Sequence, residues 1–120
     1  MKRIFSACVN SWRGFLWVAR SEAAFRQEIA VLVLAFPAAL FVAHELFLRL
    51  ALIGVVLFVL IVELLNTVVE KLCDRLTTDH DVQIGRVKDI GSAAVGLSIR
   101  LAAAVWIAAA LRALHWLQQF

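Results

Sequence analysis

Apolar residues run through this chain in long stretches that are separated by short polar segments. Residues 29–43 are apolar without interruption, residues 50–62 form a second stretch, and residues 90–111 form a third. A helix that crosses a membrane needs about 20 predominantly apolar residues. With their flanking residues, the three stretches therefore predict transmembrane helices at 25–48, at 50–74 with a cytoplasmic extension, and at 90–112.

The first 20 residues follow a different pattern, in which polar positions recur mostly at intervals of three or four. Apolar and aromatic side chains fill the positions between them. This spacing is typical of an amphipathic helix that lies in the plane of the membrane interface. We therefore predict a surface helix at 1–20 and a polar loop at 75–89, within one all-α membrane domain spanning 1–120. The polar positions are Arg3, Ser6, Asn10, Arg13 and Arg20.

The composition supports a membrane protein and excludes two other classes. Residues of the AVILMFWYC set make up 63% of the 120 residues, and charged residues make up 18%. Soluble domains have roughly 45–50% apolar and about 25% charged residues. A soluble domain of this size could not bury so much apolar surface, and a disordered chain needs low hydrophobicity.

The basic residues predict the orientation of the chain. There are 12 Lys and Arg against 9 Asp and Glu, which gives a net charge of +3. Nine of the 12 basic residues lie in the N-terminal segment or around the predicted loop, so the positive-inside rule places both on the cytoplasmic side. We interpret the positive charge as contact with anionic lipid rather than with nucleic acid. The nine are Lys2, Arg3, Arg13, Arg20, Arg26, Lys71, Arg75, Arg86 and Lys88.

One face of the second span carries three carboxylates and an amide. At 100° per residue, Glu63, Asn66, Glu70 and Asp74 fall within about 80° of arc and extend over roughly 16 Å of helix. Ionisable groups at membrane depth are costly and usually functional. Glu70 and Asp74 could meet a divalent metal, and the deeper Glu63 could act as a general base. The alternative is that these carboxylates pair with basic side chains of neighbouring helices.

Two further groups of polar residues are candidates. Glu22 and Glu28 flank Arg26, although Glu22 and Arg26 could simply pair along a helix surface. The loop sequence Asp79-His80-Asp81 is followed by Lys88, whose ammonium suits a phosphate, and by Asp89. No standard phosphate-binding loop motif occurs in the chain.

Arg100 stands midway along the third span. Ser92 and Gly96 precede it at four-residue steps, which favours close packing of helices. The arginine could extend towards the membrane surface, pair with Glu63 of a neighbouring helix, or face a hydrated cavity. The residues leave these alternatives open.

Three motifs resemble the prokaryotic diacylglycerol kinase family, and the resemblance covers nearly the whole chain. They are Glu22-Ala-Ala-Phe-Arg-Gln-Glu28, Glu63-x-x-Asn66-x-x-x-Glu70-x-x-x-Asp74-Arg75, and Gly85-Arg-x-Lys-Asp-x-Gly-Ser-Ala-Ala-Val95. The resemblance implies a homotrimeric kinase of the bacterial inner membrane, whose sites are shared between neighbouring subunits. Such an enzyme transfers the γ-phosphoryl group of MgATP to the primary hydroxyl of diacylglycerol.

The resemblance also implies roles for individual residues. Glu63, with Asn66 beside it, would be catalytic, and Glu22 and Glu70 would bind Mg²⁺. Residues contacting ATP would be Arg3, Asn10, Glu22, Glu70, Asp74, Asp79, His80, Asp81, Lys88 and Asp89. Residues on the lipid side would be Ala24, Phe25, Arg26, Gln27, Glu28, Arg49, Glu63 and Ser92.

The sequence departs from the family's pattern in three places. Asn10 stands where the family often has a tyrosine, His80 is shifted by one position, and Arg100 replaces a residue that is usually apolar. Two other functions remain alternatives: a kinase of undecaprenol from the same family, and a non-enzymatic transporter or channel subunit that uses Glu63 and Arg100 as a buried pair.

Overall fold

Four α-helices make up the part of the chain that the structure describes. The computed structural model describes residues 1–77 and 79–120. Helix α1 is Lys2–Ser21, α2 is Ala23–Val42, α3 is Leu46–Leu76 and α4 is Val82–Leu117. Within the described residues there is no β-strand, and α2, α3 and α4 are each long and apolar enough to cross a membrane. The prediction of an all-α membrane protein with three spans after an N-terminal helix is confirmed.

The two connections between the predicted spans differ from the structure. The first span was expected to reach residue 48, but α2 ends at Val42, and Ala43 and Glu45 have extended backbone conformations. Arg49 stabilises this break, because its Nε donates to the Ala43 carbonyl at 2.9 Å and its Nη2 to the Leu40 carbonyl at 3.3 Å. These bonds satisfy carbonyls that a helix terminus leaves without partners.

The predicted loop at 75–89 is much shorter in the structure. Helix α3 continues to Leu76, and α4 begins at Val82 rather than at residue 90. The Asp81 side chain caps α4 by accepting from the backbone N–H groups of Gln83 and Ile84 at 2.8 and 3.1 Å. Lys88 and Asp89 therefore lie on a helix and not on a loop.

Helices α3 and α4 form an antiparallel hairpin against which α2 packs. We call the end where α3 ends and α4 begins the loop end, and the end where α2 ends and α3 begins the far end. At the far end, Ala39, Ala43, Leu52 and Ala109 are buried together, and the Trp106 indole donates to the Leu52 carbonyl at 3.0 Å. The small side chains allow the helix backbones to approach closely.

Helix α1 joins the bundle at the loop end. Val18 of α1, Phe25 of α2 and Leu60 of α3 form a second buried cluster. Arg26 ties α1 to α2, because its Nη1 donates to the carbonyls of Ala19 and Arg20 at 2.9 Å each. The angle at which α1 leaves the bundle is thus fixed by packing and by hydrogen bonds.

Most large apolar side chains point away from the bundle. Phe41 is 88% exposed and Phe47 is 82% exposed, and many residues along all three long helices share this outward orientation. Such a surface is stable only in contact with lipid. The chain is therefore a multi-pass membrane protein.

Candidate functional site at the loop end

The carboxylate face of α3 surrounds a buried amide. Asn66 is buried, and its Nδ2 donates to Glu70 Oε1 at 3.2 Å. Glu63 lies one turn deeper and is half-buried. Because residues three and four apart share one side of a helix, the sequence pattern alone brings these groups together.

Helix α4 approaches this amide at Gly91. A Cβ atom added at Gly91 would overlap Asn66 Oδ1, so a glycine is what allows the contact between the two helices. Asn66 Oδ1 is itself buried and has no hydrogen-bond partner among the residues that the structure describes. A buried acceptor without a donor is costly, so the close packing of α3 against α4 holds the amide here against that cost.

Two more carboxylates join the same site: Glu22, which precedes α2, and Glu28, which lies on α2. Glu22 and Glu28 both lie close enough to Glu63 for their charges to interact, as does Glu70. Glu28 Oε2 is buried and, within the described part of the chain, has no hydrogen-bond partner. The four glutamates therefore form a single cluster between α2 and α3, which we call the glutamate cluster.

Lys71 of α3 contacts the glutamate cluster. Lys71 Nζ lies 3.2 Å from Glu22 Oε1 and 5.4 Å from the centre of the Trp17 ring. Glu22 therefore pairs with a lysine of α3. The alternative that it pairs with Arg26 along one helix is wrong, since Arg26 binds the end of α1 instead.

An open cavity of about 410 Å³ lies at the loop end, above the glutamate cluster. Across it, Lys88 Nζ of α4 pairs with Asp74 Oδ1 of α3 at 2.8 Å. The structure thus brings together five of the residues expected to contact ATP. The lining residues are Asp74, Thr77, Asp79, His80, Asp81, Ile84, Gly85 and Lys88.

Other predicted site residues have different positions. Arg3 and Asn10 are exposed on α1 and are not among the residues that line the cavity, and Asp89 and Ser92 are exposed on α4. Phe25 is fully buried and packs edge-on against the Phe15 ring at 5.2 Å, which makes it a core residue rather than a lipid contact. Ala24 and Gln27 are exposed on the first turns of α2.

Arg49 does not join the site. It binds the end of α2 at the far end, about 21 Å along α3 from Glu63. Its two hydrogen bonds give it a structural role at the break between α2 and α3.

Within a single chain, Arg100 does not pair with Glu63. Its side chain is exposed, and it makes no ion pair within residues 1–77 and 79–120. Arg100 faces outward from α4, because the residues of α4 that are buried in the bundle, Ser98 and Ala109, lie on other sides of the helix.

The donor atoms of the site fit a magnesium ion that arrives with a nucleotide. Within the described residues, no group of three or more His, Cys, Asp or Glu side chains is arranged to hold a metal ion. Mg²⁺, however, takes oxygen ligands and is usually held by one or two carboxylates together with substrate phosphates. Glu22 and Glu70 supply oxygen donors of this kind.

Two residues of the site were not predicted from the sequence. The sequence identifies Lys71 only as a basic residue that orients the chain, and Gly91 only as a member of a motif. The only sequence signals were a basic residue next to Glu70 and a glycine three residues after Lys88. Their contacts join different helices, so they depend on a packing that periodicity does not predict.

The fold and the site define a small multi-pass helical membrane protein with an acidic polar site at one membrane boundary. Residues 9–110 match the family model described as prokaryotic diacylglycerol kinase. The chain therefore belongs to the prokaryotic diacylglycerol kinase family, whose members are lipid kinases.

Individual relatives agree with this assignment. The chain is 39% identical to the diacylglycerol kinase of Escherichia coli strain K12 over 104 residues, which cover 87% of this chain and 85% of that protein. It is 37% identical to the diacylglycerol kinase of Pseudomonas aeruginosa over 106 residues, which cover 88% and 86%. It is 33% identical to that of Haemophilus influenzae over 106 residues, which cover 88% and 90%.

Proposed function

We propose that this chain is an ATP-dependent diacylglycerol kinase that converts diacylglycerol and MgATP to phosphatidic acid and ADP, in the recycling of phospholipids. One observation carries the proposal: a water-facing cavity lined by the Asp74–Lys88 pair lies at the loop end of α3, and Asp74 is one helical turn from Glu70 of the glutamate cluster. Such a site suits a reaction between a water-soluble donor and a lipid acceptor.

In this proposal Glu63 is the general base. Its carboxylate takes the proton of the primary hydroxyl as the hydroxyl oxygen bonds to the γ-phosphorus, and the bond from that phosphorus to the ADP oxygen breaks. Glu63 is half-buried and lies about 10 Å deeper along α3 than Glu70. It therefore lies on the lipid side of the metal-binding and nucleotide-binding residues.

The remaining polar residues position the nucleotide. Phosphoryl transfer depends mainly on positioning and charge neutralisation. Lys88 would exchange its contact with Asp74 for a phosphate oxygen, and Asn66 orients Glu70 through their hydrogen bond. Glu22 and Glu70 would hold Mg²⁺, which neutralises phosphate charge when bound. Arg3, Asn10, Asp79, His80, Asp81 and Asp89 are the further nucleotide contacts that we propose.

The lipid would approach from the membrane side of the same cluster. The residues that we propose for this role are Glu28, the exposed side chains of Ala24 and Gln27, and Ser92, which follows the Gly91 contact with Asn66. We further propose a homotrimer with shared sites in the bacterial inner membrane, with the N-terminus and the loop end cytoplasmic. The distribution of basic residues supports that orientation.

Transfer of radiolabelled phosphate from ATP in mixed micelles tests the proposal. Diacylglycerol and undecaprenol are offered separately, each with and without Mg²⁺. We expect Mg²⁺-dependent transfer to diacylglycerol, and we expect Glu63→Gln to lower turnover by about 100-fold or more, with MgATP affinity retained. Glu45→Gln is the matched control, since Glu45 pairs with Arg112 at the far end.

Each other outcome has a clear meaning. Near-normal turnover of Glu63→Gln would contradict the general-base role. Transfer to undecaprenol alone would make the chain an undecaprenol kinase. No transfer to either lipid by folded protein would favour a non-enzymatic membrane subunit.

A further inference from the structure

Lys71 lies between two partners from the start of the chain. Its ammonium is 3.2 Å from Glu22 Oε1 and 5.4 Å from the centre of the Trp17 ring. The side chains of Lys71 and Glu22 are 48% and 33% exposed, so the pair lies at the rim of the glutamate cluster and in reach of solvent. A cation over a tryptophan face is attracted by the ring, so Trp17 is a second partner that Lys71 contacts together with Glu22.

Glu22 immediately precedes α2, but its side chain does not cap that helix. Glu22 lies between α1 and α2 with φ −116° and ψ 111°, and among the described residues its side chain makes no capping hydrogen bond at the start of α2. Its carboxylate is therefore available to a partner on another helix. Lys71 provides that partner, and it follows Glu70 directly in the sequence.

The charges around Lys71 explain why a cation is needed there. Glu22, Glu28 and Glu70 all lie near enough to Glu63 for electrostatic repulsion. Lys71 contributes a positive charge to this cluster through its ion pair with Glu22. A monovalent cation on Glu22 relieves part of that repulsion. A divalent cation shared by Glu22 and Glu70 would relieve more of it and would repel the ammonium.

We infer that Lys71 is a positioning residue that occupies the cation site of Glu22 when the site is empty, and that it competes with the divalent metal for this carboxylate. When Glu22 turns to the metal, the Lys71 ammonium moves away from the carboxylate into solvent, and its position relative to the Trp17 ring changes. This inference rests on the proposed function, because the proposed kinase reaction brings the metal to the site with ATP.

Metal binding measured without turnover tests the competition. Mn²⁺ is titrated into the purified full-length protein with β,γ-methylene-ATP, and free Mn²⁺ is followed by electron paramagnetic resonance. We expect Lys71→Met to bind Mn²⁺ about three- to fivefold more tightly, because an exposed ion pair no longer has to be broken. Lys2→Met removes the same charge from the exposed start of α1 and should leave the affinity unchanged.

Two further readouts separate competition from a merely structural role. Thermal unfolding in EDTA should show a lower Tm for Lys71→Met than for the unmodified chain, and saturating Mn²⁺ should remove the difference. Saturating Mg²⁺ with the same nucleotide analogue should change the Trp17 fluorescence, taken as the difference from Trp17→Phe, and Lys71→Met should abolish that change.

Equal or weaker Mn²⁺ binding by Lys71→Met, compared with Lys2→Met, would overturn the inference. If the unmodified chain still transfers phosphate to lipid with Mg²⁺, that result leaves the proposed function standing. If the chain neither binds Mn²⁺ nor transfers phosphate, the inference and the proposed function fail together.

Discussion

At the scale of single residues, the site depends on the contact between Asn66 and Gly91. The Asn66 side chain donates from Nδ2 to Glu70. Its Oδ1 is buried against α4 and has no hydrogen-bond partner among the described residues. Gly91 has no side chain to displace that oxygen. The position of the amide is therefore set by two helices at once.

Substitution of Gly91 by alanine should impair the enzyme. The added methyl group would displace Asn66, and a small misplacement of reacting groups costs on the order of 10- to 100-fold in rate. We expect this loss in the mixed-micelle assay with the helical circular dichroism spectrum retained. Gly96→Ala is the control, since within the described residues a Cβ there meets no atom within 4 Å. Equal activity of the two variants would refute the packing argument.

Part of the site was predictable at this scale and part was not. The common face of Glu63, Asn66 and Glu70 follows from the geometry of one helix, and the sequence was sufficient to predict it. The pairing of Glu22 with Lys71 could not be predicted, because it depends on how α2 and α3 pack together. The residue assignments taken from the family remain predictions.

At the scale of elements, Asp81 has two roles that can be separated. It caps α4 through the N–H groups of Gln83 and Ile84, and it lines the loop-end cavity. Asparagine caps a helix about as well as aspartate but carries no charge. The two functions therefore respond differently to alanine and to asparagine.

We expect Asp81→Ala to lower the free energy of unfolding by about 1 kcal/mol, and Asp81→Asn to leave it nearly unchanged. Both variants should change the KM for ATP, because both remove the carboxylate from the cavity. Thermal unfolding in detergent and initial rates at varied ATP measure the two effects. An equal loss of stability in both variants would show that capping is not the stabilising interaction.

The helix boundaries illustrate where sequence patterns are informative. The three apolar stretches predicted three spans, because lipid contact requires apolar side chains all round a helix. The start of α4 at Val82 was missed, because residues 82–89 extend beyond the apolar part of the span and contain polar side chains. The polar residues His44, Glu45 and Arg49 predict a turn after the first span, but the break was placed after residue 48 instead of after Val42. The apolar residues 46–48 were assigned to the first span because 15 apolar residues are too few to cross a membrane.

At the scale of the whole molecule, native cysteines can report the orientation. Cys8 is exposed on α1, whereas Cys73 is buried in α3. With a cytoplasmic N-terminus, a membrane-impermeant maleimide should label Cys8 in inverted vesicles and not in intact spheroplasts. Cys8→Ser, which leaves only Cys73, serves as the control. Labelling of Cys8 from outside intact spheroplasts would reverse the proposed topology.

The packing of α4 also determines when the chain can complete its site during synthesis. The contacts that align α3 at three levels, from Trp106 to Leu52, from Gly91 to Asn66 and from Lys88 to Asp74, all come from α4. Because α4 leaves the ribosome after α1 to α3, those three helices are synthesised before any of these contacts exists. Asn66 and Asp74 therefore lack their partners on α4 until that helix has been inserted, whereas the contact of Glu22 with Lys71 can form earlier.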